Sequence, residues 1–168
     1  MVMTYPRIIQ GRLVTVGYRI VQESLARSAF DGEGARRYGG RWNSSGRSVV
    51  YTAESRALAA LEILVHLSSS RLLGERYRII PVQFPDELVL RLEDKFALPK
   101  DWLEQPVAAS TQRLGDDWFA RRWSCVLSVP SAVMTLERNF LLNPLHPDFN
   151  QVEIGKPERF SFDLRLAH

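Results

Sequence analysis

The segment Arg36-Arg37-Tyr38-Gly39-Gly40-Arg41-Trp42-Asn43 gathers residue types suited to holding an anion. A glycine pair lets the backbone approach a ligand closely, and a guanidinium grips phosphate or carboxylate with a planar fork. Tyr51 follows ten residues after Arg41, and Glu62 eleven residues after Tyr51. Glu62 is the lone carboxylate in the otherwise apolar run Ala57-Leu58-Ala59-Ala60-Leu61-Glu62-Ile63-Leu64-Val65. A cation, an aromatic ring and a sheltered acid suit an anionic substrate that develops positive charge as it reacts. A nicotinamide dinucleotide losing its nicotinamide is such a substrate.

Each of these residues also has a plainer reading. Glu62, with Leu58, Ala59, Val65 and His66 as its helical neighbours, belongs in or beside the buried stripe, where it either pairs with an arginine or serves a cleft. Tyr51 is either a core tyrosine whose hydroxyl finds a partner or a ring against which a ligand stacks. Arg41 either holds substrate or stacks on the Trp42 indole. Arg19 either joins the site or faces solvent. His66, on an apolar helix, is expected to be a satisfied core histidine.

Other chemistries find little support. No Walker motif is present, and Gly32-Glu33-Gly34-Ala35-Arg36-Arg37 lacks the third glycine of the dinucleotide fingerprint. His66, His146 and His168 are not at metal-ligand spacing, so no metal and no resident cofactor are expected. Ser131, His146 and Asp148 have the types of a hydrolase triad, but without a Gly-x-Ser-x-Gly elbow.

The elements that must position these residues are short. Val14, Val16, Tyr18 and Ile20 alternate with Thr15, Gly17 and Arg19, predicting a strand with Arg19 on the face opposite the apolar set. A short helix is expected within 21–30, a loop at 31–34, a turn at 43–46 and a strand at 48–52. Thr52 is the expected N-cap, with Glu54 in the first turn, of a helix running to about Ser69 and carrying Glu62. Strands are expected at 76–84, with Pro81 marking an edge or bulge, and at 87–92. A helix is expected from Gly115 through Trp123. Strands are expected at 125–129 and 132–136, then a two-proline loop at 143–148 and a last strand over Phe160 to Leu166. Six to eight strands with a few helices, lacking regular β-α alternation, define an α+β class.

At 168 residues, with 45% apolar and 24% charged residues, the chain has the composition of one soluble domain, expected to span 1–168. No apolar run approaches the roughly 20 residues of a membrane helix. The segment Met1 to Leu13 lacks a signal-peptide core. The single Cys125 precludes an internal disulfide and, in an apolar run, is expected to be buried; a reducing cytoplasm is the expected location. Cations are 19 arginines against 3 lysines, for a net charge of +3, which is too mild to favour nucleic-acid binding. A non-enzymatic arginine-rich nucleic-acid module remains the rival from another class.

Taken together, the chain resembles the RES domain, the toxin half of a bacterial RES–Xre type II toxin–antitoxin pair. The resemblance rests on the order of blocks: Tyr18-Arg19-Ile20, Gly39-Gly40-Arg41-Trp42-Asn43, Val50-Tyr51-Thr52-Ala53-Glu54-Ser55, Leu61-Glu62, Val129-Pro130-Ser131-Ala132-Val133, Asn139-Phe140-Leu141-Leu142-Asn143-Pro144 and Phe162-Asp163-Leu164-Arg165. The family is named for an arginine, a glutamate and a serine, carried over to Arg41, Glu62 and Ser131, with Ser128 the alternative serine. The resemblance implies an ADP-ribosyltransferase-like fold of mixed and antiparallel β-sheets with flanking helices, binding NAD as substrate in a cleft between sheets. It implies cleavage of the nicotinamide–ribose bond, by a glycohydrolase or phosphorylase, or transfer of ADP-ribose to a protein. It further implies an Xre-like DNA-binding antitoxin that covers the active site. On this view Glu62 stabilises the oxocarbenium-like ribose, and Tyr51 stacks on nicotinamide. Arg19 or Arg41 holds the pyrophosphate, and Ser131 orients the glutamate or the ribose.

Overall fold

The structure, a computed structural model, describes residues 7–9, 11–66 and 76–166. The expected end of the Glu62 helix (Leu67 to Ser69), most of the segment Met1 to Leu13 and His168 lie outside the described residues. Among the described residues nine strands form one mixed sheet in the order β5-β6-β7-β3-β2-β4-β8, with β1 paired to β2 and β9 to β4. They are β1 (Arg7–Ile9), β2 (Arg12–Gln22), β3 (Val50–Ala53), β4 (Tyr77–Pro85), β5 (Val89–Arg91), β6 (Val126–Pro130), β7 (Arg138–Leu142), β8 (Glu153–Ile154) and β9 (Glu158–Phe160). Only β5 and β6 run parallel; the other pairings are antiparallel. Helices α1 (Glu33–Tyr38), α2 (Arg56–Leu64) and α3 (Ala109–Arg121) complete the α+β arrangement.

The sheet is nearly severed in its middle. β2 pairs with β4 over nine positions, from Val14↔Pro85 to Gln22↔Tyr77, whereas β2 and β3 share the single position Tyr18↔Ala53. Instead of two separate sheets flanking a cleft, one sheet opens along the β2–β3 seam. Each half carries its own helix on one face, while on the other face Val82 and Phe84 of β4 pack with Val50, Val126, Phe140 and Leu142 in one core that spans the seam. Trp118 of α3 packs with Trp42, Leu92, Leu127, Val129 and Leu141 over one half. Leu58 and Ala59 of α2 pack with Ile20, Ala53 and Ile79 over the other.

Several elements depart from the sequence reading for identifiable reasons. The helix expected at Gly115 begins at Ala109, so Gly115 lies inside it. A Cβ there would stand 1.7 Å from the Trp42 carbonyl oxygen, so glycine serves a close helix-to-loop approach and does not mark a helix start. Thr52 does not cap α2: it is buried and donates its hydroxyl to the Phe140 carbonyl. Ser55 is the N-cap, accepting the Leu58 N–H at 3.0 Å, so Glu54 precedes the helix. Residues 132–136 are bends and turns, and the strand is Arg138–Leu142.

Phe160 ends β9, and the alternation through Leu166 does not continue as a strand. The short helix expected within 21–30 is a 3-10 turn over Glu23–Ser28, and α1 begins within the segment expected to be loop. Pro81 is not on an edge strand, since β2 flanks β4 on one side and β8 and β9 on the other, but it sits at a gap in the ladder. It pairs with Tyr18 on one side, and on the other it falls between β9, paired at 77–79, and β8, paired at 82–83. His66 is exposed, not a core residue, because α2 buries only a narrow stripe.

Candidate active site

The Gly40 to Ser44 loop is held from beneath by α3. Gln112 donates to the carbonyls of Gly40 (3.0 Å) and Asn43 (3.2 Å), and Asp116 accepts the Ser44 N–H (3.0 Å) and hydroxyl (2.5 Å). Trp42 and Asn43 are buried as a result. Gly40 passes so near Tyr51 that a Cβ there would lie 2.6 Å from the phenol oxygen. The Tyr51 hydroxyl accepts the Trp42 N–H at 3.1 Å and donates to Asn43 Oδ1 at 2.6 Å. Burial pushes its pKa well above the usual tyrosine value. The phenol is therefore a strut with its proton committed.

Arg19 does not face solvent. Where β2 and β3 part, the Tyr51 carbonyl lacks a strand partner on the β2 side, and Arg19 Nη1 donates to it at 2.7 Å. Its Nε is buried without a hydrogen bond. Desolvation lowers the guanidinium pKa to about 10, against the opposing field of Asp31, so the group stays cationic at neutral pH. Arg41 donates Nη1 to the carbonyls of Trp102 (2.6 Å) and Glu104 (3.3 Å), tying the glycine-rich loop to the irregular segment after β5. It is Trp102, not Arg41, that stacks on Trp42, with centroids 6.0 Å apart.

Neither Arg19 nor Arg41 makes a salt bridge among the described residues. Arg36 and Arg37 both do, clasping Glu33 on the surface at 2.6 Å each, so neither is a free cation. Their hydrogen bonds hold the Glu33 carboxyl down at about 2.

Glu62 is half-buried and has no arginine partner among the described residues. Its Oε1 accepts from the Ser131 hydroxyl at 2.8 Å and from the Asn139 side-chain amide at 2.5 Å. Ser131 Oγ in turn accepts the N–H groups of Val133 (3.0 Å) and Met134 (3.1 Å), so its own proton is directed to the glutamate. Ser128 is occupied elsewhere, accepting from Arg138 Nε at 3.0 Å. No Ser131–His146–Asp148 triad forms: His146 bonds the Arg122 carbonyl and the Asp148 N–H, and Ser131 bonds Glu62. Among the described residues no group of His, Cys, Asp or Glu is arranged to hold a metal. Cys125 is buried, and burial pushes its thiol up to about 12.

Register explains the grouping. Asn139 lies opposite Ala53 on β3 and Val129 on β6, and Ala53 lies opposite Tyr18, so these residues share one face. Tyr51, two positions from Ala53, shares that face as well. It is the face that α2 and α3 cover on either side of the seam, and Glu62 reaches it from α2. Residue types and spacing single out Arg19, Arg41, Tyr51 and Glu62, and the family resemblance adds Ser131. They do not single out Asn43 and Asn139, whose only sequence signal is membership in the two Asn-containing blocks. A surface pocket between Arg12, Gln83 and Glu153 shares no residue with this group.

A mixed sheet nearly parted between β2 and β3, with Glu62 tethered by Ser131 and Asn139 and with Arg19 and Arg41 free of carboxylate partners among the described residues, defines an α+β protein. The RES domain model matches residues 17–163, so the chain belongs to the RES domain family. It is 37% identical over 151 residues to the protein named Toxin Res of Photorhabdus laumondii subsp. laumondii, covering 89% of this chain and 96% of that protein. It is 35% identical over 158 residues to the Prs ADP-ribosylating toxin of a Sphingobium species, covering 92% and 98%. Its fold is similar to a chain of the M. tuberculosis MbcT–MbcA toxin–antitoxin complex, with a TM-score of 0.71 over 89% of this chain and 86% of that one. At 20% identity this is a likeness of fold.

Proposed function

We propose that this chain, as one RES domain over 1–168, is the toxin of a toxin–antitoxin pair and consumes NAD by breaking its nicotinamide–ribose bond. The observation that carries this reading is the Glu62 carboxylate, fixed by Ser131 and Asn139 beside the Tyr51 ring. Departure of nicotinamide takes the glycosidic electron pair and leaves positive charge on the ribose. A preorganised carboxylate in a partly dry cleft stabilises that charge. Nicotinamide leaves as a neutral molecule, so no strong acid is needed, in keeping with a Tyr51 hydroxyl whose proton is already committed. Arg19, with its buried unpaired Nε, and Arg41, half of whose fork is engaged, are the groups to hold the pyrophosphate.

Water or phosphate then bonds to the ribose carbon, giving a glycohydrolase or a phosphorylase. The name of the Sphingobium relative favours a second reading, transfer of the same ADP-ribose to a protein. NAD carrying a label in its adenylate half, incubated with purified protein with and without phosphate or a cell lysate, separates the three by product. Absence of nicotinamide release under all three conditions refutes the reading. The partner we assign is an Xre-like antitoxin that inserts a segment near Arg41 and Tyr51, in a cytoplasmic setting. No described helix is long and apolar enough to cross a membrane.

A further inference from the structure

The two oxygens of Glu62 are treated differently. Oε1 receives both hydrogen bonds, from Ser131 and from Asn139, while among the described residues none reaches Oε2. We infer that Asn139 is a positioning residue which, with Ser131, immobilises Glu62 through Oε1 and presents Oε2 to the reacting sugar. The inference rests on the proposed NAD-cleaving role of Glu62.

Asn139 is an unusual residue for its place. It lies on β7 opposite Ala53 and Val129, on a face where its neighbour at i+2 is the buried Leu141. Its Oδ1 is buried with no hydrogen-bond partner, a loss that an apolar residue of similar size would avoid. Only the NH₂ side of the amide is used, and it is used on the carboxylate at 2.5 Å. The amide orientation follows from chemistry, because a carboxylate oxygen accepts and so must face the NH₂ group.

The anchor is stiff from the backbone outward. β7 is hydrogen-bonded to β3 on one side and β6 on the other, so the Asn139 backbone is fixed on both edges. Ser131 is fixed by two backbone N–H groups on its hydroxyl. A glutamate on a short helix otherwise loses rotamer freedom only on reaching the transition state. Two donors on one oxygen remove that freedom beforehand and leave one lone-pair-bearing oxygen to face the developing charge.

The test measures nicotinamide release by wild type and by Asn139→Ala, Asn139→Leu and Glu62→Gln, each with its melting temperature. Asn139→Leu nearly keeps the side-chain volume but removes the donor without adding a charge, so it serves if the alanine variant folds poorly. The expected result is a kcat lowered roughly tenfold to a hundredfold in both Asn139 variants, the range for losing a hydrogen bond to a charged group, with KM within about twofold. An unchanged kcat in either folded variant overturns the inference, as does a raised KM at constant kcat, which would make Asn139 a substrate-binding group. If Glu62→Gln itself leaves turnover intact, the NAD-cleaving reading fails first, and the result is distinguishable from failure of Asn139 alone.

Discussion

Replacing Gly115 by alanine sets two effects of opposite sign against each other. In a helix interior alanine is favoured over glycine by about 1 kcal/mol. Gly115 is the seventh residue of the thirteen-residue α3, so propensity alone makes the substitution stabilising. Against it, the new Cβ would lie 1.7 Å from the Trp42 carbonyl oxygen and 2.8 Å from its carbon. Ordinary C···O contacts sit at about 3.3–3.6 Å, so helix and loop must separate by roughly 1.6 Å or more. Both atoms are backbone, and no flexible side chain can swing away.

That separation also stretches the Gln112 bonds to Gly40 and Asn43 and the Asp116 bonds to Ser44. Overpacking costs about 1–3 kcal/mol, and each weakened hydrogen bond about 0.5–1.5 kcal/mol. With four bonds weakened, and after the propensity gain, a net loss of about 2–8 kcal/mol is expected. For a chain of this size that is a Tm lower by about 4–32 °C. Thermal unfolding followed by circular dichroism measures it. Gly34→Ala is the control, because Gly34 lies in α1 with nothing within 4 Å of its added Cβ, and its Tm should hold or rise slightly. A Gly115→Ala Tm equal to or above wild type would refute the contact argument. The same variant should turn over less NAD, since Arg41 and Trp42 ride on the displaced loop.

Glu62→Gln should reduce nicotinamide release by about 10²–10³ while leaving the melting curve close to wild type, and growth arrest on expression should disappear with it. Arg41→Lys keeps charge but loses the planar fork, so it should impair turnover far more than Arg76→Lys, whose side chain is 90% exposed; equal effects would make Arg41 a purely structural tie to Trp102 and Glu104. Cys125 should resist thiol alkylation in the folded protein up to at least pH 9 and react on unfolding, because burial holds its thiol up at about 12, and labelling of the native state at neutral pH would contradict its placement. An antitoxin that covers the site should compete with an NAD analogue, and simultaneous binding without mutual loss of affinity would rule out direct blocking.

Local pattern was enough for some of this molecule. The alternation from Val14 to Ile20 marks β2, and the apolar run around Glu62 marks α2, because burial on one face imposes a period on the residues themselves. The ordered blocks from Tyr18 to Arg165 are legible as those of a RES domain; Arg19, Arg41, Tyr51 and Glu62 can be named from type and spacing, and Ser131 from the resemblance. Where local signals misled, a distant partner was responsible. Gly115 looks like a helix boundary until Trp42 is packed against it, and residues 132–136 look like a strand until Ser131 turns the chain toward Glu62.

Only the tertiary structure decided which polar groups are spent and which are free. Ser131 and Asn139 stand 69 and 77 residues from Glu62, and they converge on one of its oxygens because the registers of β3, β6 and β7 bring them there. Arg36, Arg37 and Arg41 are neighbours in a single arginine-rich segment. Two are consumed by Glu33 on the helix surface, and the third donates to the Trp102 and Glu104 carbonyls. The strand pattern leaves Arg19 either in the site or facing solvent, and the parting of β2 from β3 leaves a carbonyl that draws its guanidinium inward. A residue's type records what bonds it is able to make. Which bond it makes depends on partners that long-range strand pairing brings within 3 Å, and that information has no period in the chain.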